Sequence, residues 1–271
     1  MPTLDVNSSC RLNSGRTMPV LGLGTWQLTD HTGDTVADAL KLGYPMIDTS
    51  GDYGTQPGIA AGVKKARVSR NDYYLVTKVE EDEDPHDSLQ KSLSELGTDH
   101  ADLVLIHRPP DTKEDSVLLW RKLIRERDEG RATDIGVSNY APEEIDALIE
   151  ATGETPAVNQ IEWSPFGFSD EMQEYAEEHG IVLQAYSPLT RATRLDDPKL
   201  NDIARRHGKS PAQVLIRWDL QRGVVPIPKA NRRDHLEQNF DVFDFELNRA
   251  EMANLEALNE HYSSLGRLPY V

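Results

Sequence analysis

The chain is predicted to be an α/β protein that folds as a single-domain (β/α)8 TIM barrel over residues 1–271. Short apolar segments with strand character alternate with amphipathic segments of helical period along its whole length. There are eight such strands, and no change of composition marks a linker. Apolar strands that alternate with helices form a parallel sheet covered on both faces, and eight units in roughly 250 residues fit a closed barrel.

The first half of the chain supplies four strand–helix units. Residues 20–26 form an apolar strand with two glycines, and the helical spacing of residues 33–42 ends at Gly43. The short strand 46–48 stops at a run of polar, turn-forming residues, which is typical of a buried strand that gives way to a loop. The other segments of this half are predicted as helix 59–66, strand 73–77, helix 85–96, strand 101–106 and helix 115–129.

The second half continues the alternation. Ser169 and Ser210 are predicted helix N-caps, and Ser210 precedes a proline suited to the first turn. The predicted strands are 132–137, 157–161, 181–186 and 223–228, and the predicted helices are 142–151, 169–179, 195–207, 210–221 and two that begin near 232 and 248. An open doubly wound sheet is the alternative. It is disfavoured because residues 22–27 lack the third glycine of a dinucleotide-binding Gly-x-Gly-x-x-Gly motif.

The composition is strongly acidic, and this excludes several classes of partner. Lys and Arg number 29, whereas Asp and Glu number 46, which gives a formal net charge of −17 at pH 7. Such a surface repels nucleic acid and anionic membranes, so neither is expected as a partner. An acid excess along the whole chain is typical of halophilic proteins, whose self-repulsion is screened by salt. The acidic run 80–84 is predicted to be a solvated loop.

No segment of the sequence predicts export or membrane insertion. Cys10 is the only cysteine, so an internal disulfide is impossible. The N-terminus lacks the basic and apolar regions of a secretory signal, and no apolar run approaches roughly 18 residues. We therefore expect a cytoplasmic protein and, since no interface pattern is evident, a monomer.

Polar residues at the predicted strand ends form the candidate active site. The C-terminal ends of barrel strands face one cleft. In chain order these residues are Trp26, Asp48 with Tyr53, Lys78, His107, Ser138, Asn139, Gln160, Tyr186 and Lys229. Each alone would be an ordinary turn or core residue, but four titratable groups on three neighbouring strands describe an acid–base system. A phenol can donate a proton to a developing alkoxide, a lysine lowers its pKa, a carboxylate holds the lysine and an imidazole orients the carbonyl.

These residues and several motifs resemble the aldo-keto reductase family from Leu21 to about Asn259, in particular its bacterial and archaeal diketogluconate-reductase-like members. The catalytic tetrad of the family maps onto Asp48, Tyr53, Lys78 and His107. The further motifs are Gly136-Val137-Ser138-Asn139, Asn159-Gln160-Ile161-Glu162, Ala185-Tyr186-Ser187-Pro188-Leu189, Ile227-Pro228-Lys229, and Asn239 with Phe243-Asp244-Phe245.

The resemblance implies reduction of a small-molecule aldehyde or ketone to the alcohol, with hydride from a nicotinamide cofactor and Tyr53 as general acid. It implies cofactor contacts at Ser138, Asn139, Gln160, Tyr186, Ser187, Leu189, Lys229, Arg232, His235 and Asn239. It implies a substrate pocket formed by Trp26, His107 and Arg108.

The adenosine end and the substrate side depart from the family pattern. Lys229 and Arg232 suit a 2′-phosphate, so NADPH is the expected cofactor. His235 stands where the family commonly has arginine, which leaves NADH or dual use open. Arg108 replaces a frequent tryptophan and favours a polar or anionic substrate. The short C-terminal segment around 267–270 predicts an open pocket.

Two other functions are compatible with a barrel. A cofactor-binding regulatory or scaffold subunit would have the same fold and little turnover, but it would have no need of the complete tetrad. A metal-dependent isomerase or hydrolase would need ligands that the sequence does not supply, because His-x-x-x-His and Cys-x-x-Cys pairs are absent and strand-end carboxylates are few. No metal is therefore expected.

Overall fold

The computed structural model describes residues 4–28, 31–266 and 268–270, so Arg267 of the predicted C-terminal loop lies outside it. Within this part of the chain the strands are short. They are β1 Ser9–Arg11, β2 Thr17–Pro19, β3 Leu23–Gly24, β4 Met46–Asp48, β5 Tyr74–Val79, β6 Ala101–Ile106, β7 Ala132–Ser138, β8 Val158–Glu162, β9 Val182–Tyr186 and β10 Val225–Pro226.

Helices follow or precede each strand of the barrel. They are α1 Thr32–Leu42, α2 Gln56–Ala66, α3 Pro85–Leu96, α4 Lys113–Asp128, α5 Pro142–Thr152, α6 Asp170–Glu178, α7 Pro198–His207, α8 Pro211–Gln221, α9 Arg233–Phe240 and α10 Arg249–Glu256. Ser169 and Ser210 cap α6 and α8 by accepting hydrogen bonds from backbone N–H groups, as predicted. No helix in the described ranges is long and apolar enough to cross a membrane.

Strands β3 to β10 form one parallel sheet in chain order, which confirms the predicted (β/α)8 fold and excludes the doubly wound alternative. The first and last strands meet through backbone hydrogen bonds. Gly22 N donates to Pro226 O at 3.1 Å, and Gly24 N donates to Pro228 O at 3.3 Å. A Cβ on Gly24 would lie 2.6 Å from the carbonyl oxygen of Ile227, so glycine is required where the barrel closes.

An N-terminal hairpin that was not predicted precedes the barrel. β1 and β2 pair antiparallel, with Cys10 opposite Met18. Leu12 and Met18 are buried in a cluster with Met46 and Val158, which lie at the starts of β4 and β8. Each strand of the hairpin has three residues, too few to produce a detectable alternation of apolar and polar side chains. The hairpin covers the end of the barrel where the strands begin, which leaves the opposite end open.

The first and last barrel strands are shorter than predicted, so the predicted bounds of both are wrong. Only Leu23–Gly24 of the predicted strand 20–26 pairs as a strand, since the preceding residues lead out of the hairpin. Only Val225–Pro226 of 223–228 does so, because Pro226 and Pro228 have no N–H to donate to a ladder. The bounds of α3 and β6 match the prediction.

Candidate active site

The C-terminal ends of the strands open into a cleft of about 950 Å³. Fourteen of the predicted site residues line it: Trp26, Asp48, Tyr53, His107, Arg108, Ser138, Asn139, Gln160, Tyr186, Ser187, Leu189, Lys229, His235 and Asn239. Lys78 lies beneath the cleft surface, and Arg232 lies outside the lining. The predicted residues therefore share one site, with a single exception at the adenosine end.

A buried ion pair lies at the base of the cleft. Lys78, near the end of β5, is 1% exposed, and its Nζ donates to Asp48 Oδ1 at 2.9 Å, Asp48 Oδ2 at 3.0 Å and Thr49 O at 2.9 Å. Asp48 Oδ2 also accepts from Gln160 Nε2 at 2.7 Å. Burial disfavours the ammonium, but the Asp48 carboxylate, together with the Tyr53 hydroxyl, outweighs burial and holds the pKa of Lys78 above its usual value. Lys78 is therefore charged and rigidly held.

Tyr53 lies on the turn Gly51–Tyr53 that follows β4. Lys78 Nζ lies 5.0 Å from the centroid of the Tyr53 ring, so the ammonium is beside the phenol. Burial raises the pKa of Tyr53 to about 12, and the nearby Lys78 offsets only part of that rise. The net direction is opposite to the lowering expected from lysine alone, because desolvation of the phenolate is the larger effect. The phenol is therefore fully protonated at neutral pH.

His107 follows β6 and contacts Glu80, an acidic residue that the sequence predicts to lie in a solvated loop. His107 Nδ1 lies 2.7 Å from Glu80 Oε2, and Glu80 Oε1 accepts from Ser50 Oγ at 2.8 Å. The ring of Tyr53 packs edge-on to the imidazole at a centroid distance of 5.8 Å. Side chains two apart on a strand share a face, so the spacing of Glu80 from Lys78 was the signal that could have placed Glu80 in the site.

Arg108 lines the cleft, but its charge is shared among carboxylates. Its guanidinium lies 3.3 Å from Glu81, 3.9 Å from Glu80 and 4.0 Å from Asp52. Asp52, which had no predicted role, also lies 3.8 Å from His107 Nδ1. The substrate side therefore carries more negative than positive charge, which does not support the anionic substrate suggested by Arg108 alone.

Asp52, Glu80 and His107 are the one group of three possible metal ligands in the described ranges, with ligand atoms within 4.8 Å of one another. Arg108 competes directly with a cation there, because its guanidinium already lies within 4.0 Å of both carboxylates. His107 Nδ1 lies 2.7 Å from Glu80 Oε2 and 3.8 Å from Asp52 Oδ2, so the imidazole already contacts both carboxylates directly. The arrangement is that of an ion-pair network.

The predicted carboxamide-binding residues form a connected polar network above the tetrad. Tyr186 Oη donates to Asn139 Oδ1 at 2.8 Å, and Asn139 Nδ2 donates to His107 O and to Ser138 Oγ, both at 3.1 Å. Ser138 Oγ donates to Gln160 O at 2.8 Å. Asn139 has φ 64°, a left-handed conformation that asparagine tolerates better than most residues. The network fixes the side chains of Tyr186, Asn139 and Ser138 relative to His107, and Gln160 takes part through its backbone carbonyl.

The loop after β9 is conformationally strained. Ser187, Thr190, Arg191 and Ala192 all have φ between 49° and 65°, and none of them is glycine. Leu189 lies in the same loop and lines the cleft. Backbone strain of this kind clusters at ligand clamps and active sites.

Two basic side chains lie at the far end of the cleft without a carboxylate partner among the described residues. Lys229 Nζ lies 3.5 Å from Gln27 O, and its pKa is lowered first by burial and then by the charge of Arg191. The guanidinium carbon of Arg191 lies 5.1 Å from the centroid of the Trp26 ring. Arg191 was not predicted, because it lies in an irregular loop with no motif. Arg232, by contrast, is exposed and pairs with Asp234.

Comparisons with known proteins agree with this geometry. The Aldo/keto reductase family matches residues 20–260. An aldo-keto reductase of Mycobacterium sp. (strain JLS) is 41% identical over 263 residues, which are 95% of each chain. An aldo/keto reductase from Brucella melitensis is 38% identical with a TM-score of 0.88, over 93% of this chain and 99% of that one.

A further solved structure has a bound cofactor. The aldo-keto reductase of Bombyx mori in complex with NADP is 31% identical with a TM-score of 0.88, over 95% of this chain and 94% of that one. The family match, the identity over nearly the whole chain and the shared fold lead to one conclusion: the chain belongs to the aldo/keto reductase family.

Proposed function

We propose that this protein reduces an aldehyde or ketone to the alcohol with NADPH, and that Tyr53 donates the proton. NAD(P)H-dependent carbonyl reduction is the class of reaction of the family. The observation that supports the assignment of Tyr53 is the buried Asp48–Lys78 ion pair, whose ammonium lies 5.0 Å from the Tyr53 ring, in the cleft beside His107. A structural ion pair alone would not need a phenol at its cleft end.

Tyr53 supplies the one proton that the reduction of a carbonyl group consumes. A bound nicotinamide cofactor supplies the hydride that the carbonyl carbon accepts. The carbonyl oxygen takes the proton of Tyr53, and the Lys78 ammonium stabilises the phenolate that remains. Asp48 keeps that ammonium in place, so the positive charge is already oriented before reaction begins. His107 lies beside Tyr53 and hydrogen-bonds the same oxygen.

The residues that line the cleft fit nicotinamide adenine dinucleotide phosphate. Ser138, Asn139 and Gln160 present amide and hydroxyl groups for the carboxamide, and the Tyr186 ring supplies a flat face for the nicotinamide. Lys229, together with Arg191, gives uncompensated positive charge in a chain of net charge −17, which is the property that a phosphate site requires. His235 and Asn239 line the same end and are assigned to the adenosine. Arg232 is assigned a minor role in phosphate binding because its guanidinium is already paired with Asp234.

Lys229→Ala is expected to weaken NADPH binding by about 10- to 100-fold, because a charge-assisted hydrogen bond contributes about 1.5–3 kcal/mol. NADH lacks the 2′-phosphate, so its binding should change by less than about 3-fold. Dissociation constants from quenching of protein fluorescence with each cofactor check this.

Arg232→Ala is the matched control for that experiment. Arg232 is only three residues from Lys229 and carries the same charge. Its guanidinium, however, is already paired with Asp234 and lies outside the cleft lining. The effect of Arg232→Ala on NADPH should be clearly smaller than that of Lys229→Ala. Equal losses for NADPH and NADH in Lys229→Ala would remove the 2′-phosphate role and favour NADH or dual use.

Within the family we place the chain with the diketogluconate-reductase-like members, because the motifs resemble theirs. The carboxylates around Arg108 favour a neutral polar carbonyl compound over a sugar acid as the substrate. Trp26 is 37% exposed at the cleft and supplies an apolar wall for it.

The direct test of the activity is the loss of reduced-cofactor absorbance with NADPH and with NADH over a panel of aldehydes, ketones and keto-sugars at high salt. The proposal expects turnover of several neutral carbonyl compounds with NADPH. The absence of turnover with every carbonyl compound would favour the regulatory or scaffold alternative. Activity that disappears in excess chelator would favour the metal-dependent one.

Composition and fold support further proposals about the whole protein. We propose one domain over residues 1–271, a monomer, a cytoplasmic location and adaptation to high salt. The acid excess and the single cysteine support the last two. A single cooperative unfolding transition and a monomeric mass by light scattering are expected.

Raising the salt concentration from about 0.1 M to about 1 M should stabilise the protein. The Debye length falls from about 10 Å to about 3 Å over this range. Salt therefore screens the repulsion among the surface carboxylates of a protein with a net charge of −17. The midpoint of thermal unfolding should rise by several degrees in NaCl and in KCl alike. An unchanged or lower midpoint would contradict the proposed adaptation.

A further inference from the structure

The contact between Glu80 and His107 restricts the chemistry of the imidazole. Their side chains are 12% and 8% exposed, and the Oε2–Nδ1 distance is 2.7 Å. Burial works against the carboxylate of Glu80, but the hydrogen bonds with His107 and Ser50 outweigh burial and keep its pKa below the usual value. Glu80 is therefore an ionised acceptor at neutral pH.

An ionised carboxylate accepts hydrogen bonds and donates none, so His107 Nδ1 must carry a proton. A neutral imidazole has only one N–H, and Nε2, the nitrogen left for the cleft, would then be an acceptor. Nε2 can donate to a carbonyl oxygen only when the ring carries both protons. The Glu80 contact thus excludes the neutral tautomer that would donate from Nε2.

Other charges also face the imidazole, and none of them reverses this conclusion. Two carboxylates lie on its Nδ1 side, and Arg108 is bound to both rather than to the ring. The charged and titratable groups around His107 are Asp52 and Tyr53 from the turn after β4, Lys78 in β5, Glu80 and Glu81 after β5, Arg108 in its own loop, and Tyr186 through Asn139.

We propose that Glu80 is a positioning residue that fixes Nδ1 of His107 as the donor nitrogen, so that His107 acts on the substrate oxygen only as an imidazolium. The part concerning the substrate rests on the proposed carbonyl reduction, whereas the part concerning the tautomer does not. Glu80 itself is held by Ser50, whose hydroxyl donates to Oε1 and leaves Oε2 for the imidazole.

Glu80→Gln tests the proposal because it can place an NH2 donor opposite Nδ1. We expect the glutamine oxygen to keep the hydrogen bond that Ser50 donates at the Oε1 position, which leaves the NH2 group facing Nδ1. An NH2 group donates, so Nδ1 becomes an acceptor and the neutral proton moves to Nε2. The substitution is nearly isosteric and should leave the fold intact.

The first measurement is NMR on the full chain labelled with ¹⁵N-histidine, where ring nitrogen shifts report which nitrogen is protonated. The His107→Asn spectrum identifies the His107 signals. We expect neutral His107 to carry its proton on Nδ1 in the unsubstituted protein and on Nε2 in Glu80→Gln. A proton on Nε2 in the unsubstituted protein would overturn the proposal, whether or not the protein reduces carbonyl compounds.

The second measurement is the pH dependence of kcat/KM. Since only a ring with both protons donates from Nε2, the kcat/KM of the unsubstituted protein should be about 10- to 100-fold lower at alkaline than at neutral pH. Glu80→Gln should stay within about 3-fold over the same range, since its neutral ring still donates from Nε2. Tyr53 does not confuse the comparison, because its pKa of about 12 lies above the assay range.

Glu81→Gln is the matched control, since it removes the same charge from the next residue and contacts Arg108 rather than His107. It should keep the tautomer and the alkaline decline of the unsubstituted protein. If Glu81→Gln flattens the profile as much as Glu80→Gln, general loss of charge explains the effect and the positioning role fails. If neither the unsubstituted protein nor either variant reduces any carbonyl compound, the proposed function fails. The NMR result alone then decides the tautomer.

Discussion

Tyr53→Phe is expected to lower the rate of carbonyl reduction by about 10²- to 10⁴-fold, which is the usual contribution of a general acid. The substitution removes only the hydroxyl, which is the proposed proton donor, and keeps the ring beside Lys78. NADPH affinity should stay within about 3-fold, because Tyr53 belongs to the acid–base chain and not to the proposed cofactor contacts. Single-turnover rates and fluorescence titration with NADPH check the two expectations separately.

Tyr44→Phe is the matched control for the loss of a tyrosine hydroxyl. Tyr44 is buried, and its hydroxyl donates to Leu236 O at 2.9 Å, outside the cleft lining. It should lose about 1 kcal/mol of stability and keep its rate. An unchanged rate in Tyr53→Phe would remove Tyr53 as the acid, and no detectable rate in any variant or in the unsubstituted protein would favour the scaffold alternative.

Lys78→Met is expected to abolish reduction and also to destabilise the fold by about 3–5 kcal/mol, because it leaves the Asp48 carboxylate buried without its partner. The methionine side chain fills a similar volume, so packing is largely retained. Denaturant unfolding measures the loss of stability, and single-turnover kinetics measure the loss of rate.

The double substitution Asp48→Asn with Lys78→Met separates these two effects. It removes the unpaired charge and should regain most of the lost free energy of unfolding. It should not regain activity, because no cation remains to stabilise the Tyr53 phenolate. Restored activity in the double variant would show that Lys78 has a structural role only.

The polar tetrad could be predicted from sequence because its members lie at the ends of strands or in the turn that follows. Asp48 follows an apolar run that stops at turn residues, and His107 precedes two prolines that forbid further strand. The C-terminal ends of parallel barrel strands meet in one place, so the order of these residues along the chain was enough to bring them together. The cleft contains all of the tetrad except Lys78, which lies just beneath it.

The electrostatic details could not be predicted, because they depend on distances between loops. Burial raises the pKa of Tyr53 despite the neighbouring Lys78, and only the folded chain shows how much solvent is excluded. The acidic run 80–84 looked like a solvated loop, yet Glu80 turns inward to His107 while the residues after it stay near the surface. Arg108 looked like an anion site until its carboxylate neighbours were placed.

The most direct test of the central claim follows the fate of a labelled hydrogen. In a single turnover with NADPH that carries deuterium at both C4 positions, in ordinary water, we predict one deuterium on the carbinol carbon of the product alcohol. The reaction with unlabelled NADPH in D2O should place none on that carbon. Alcohol without deuterium in the first experiment, or with deuterium on that carbon in the second, would contradict direct hydride transfer in this cleft.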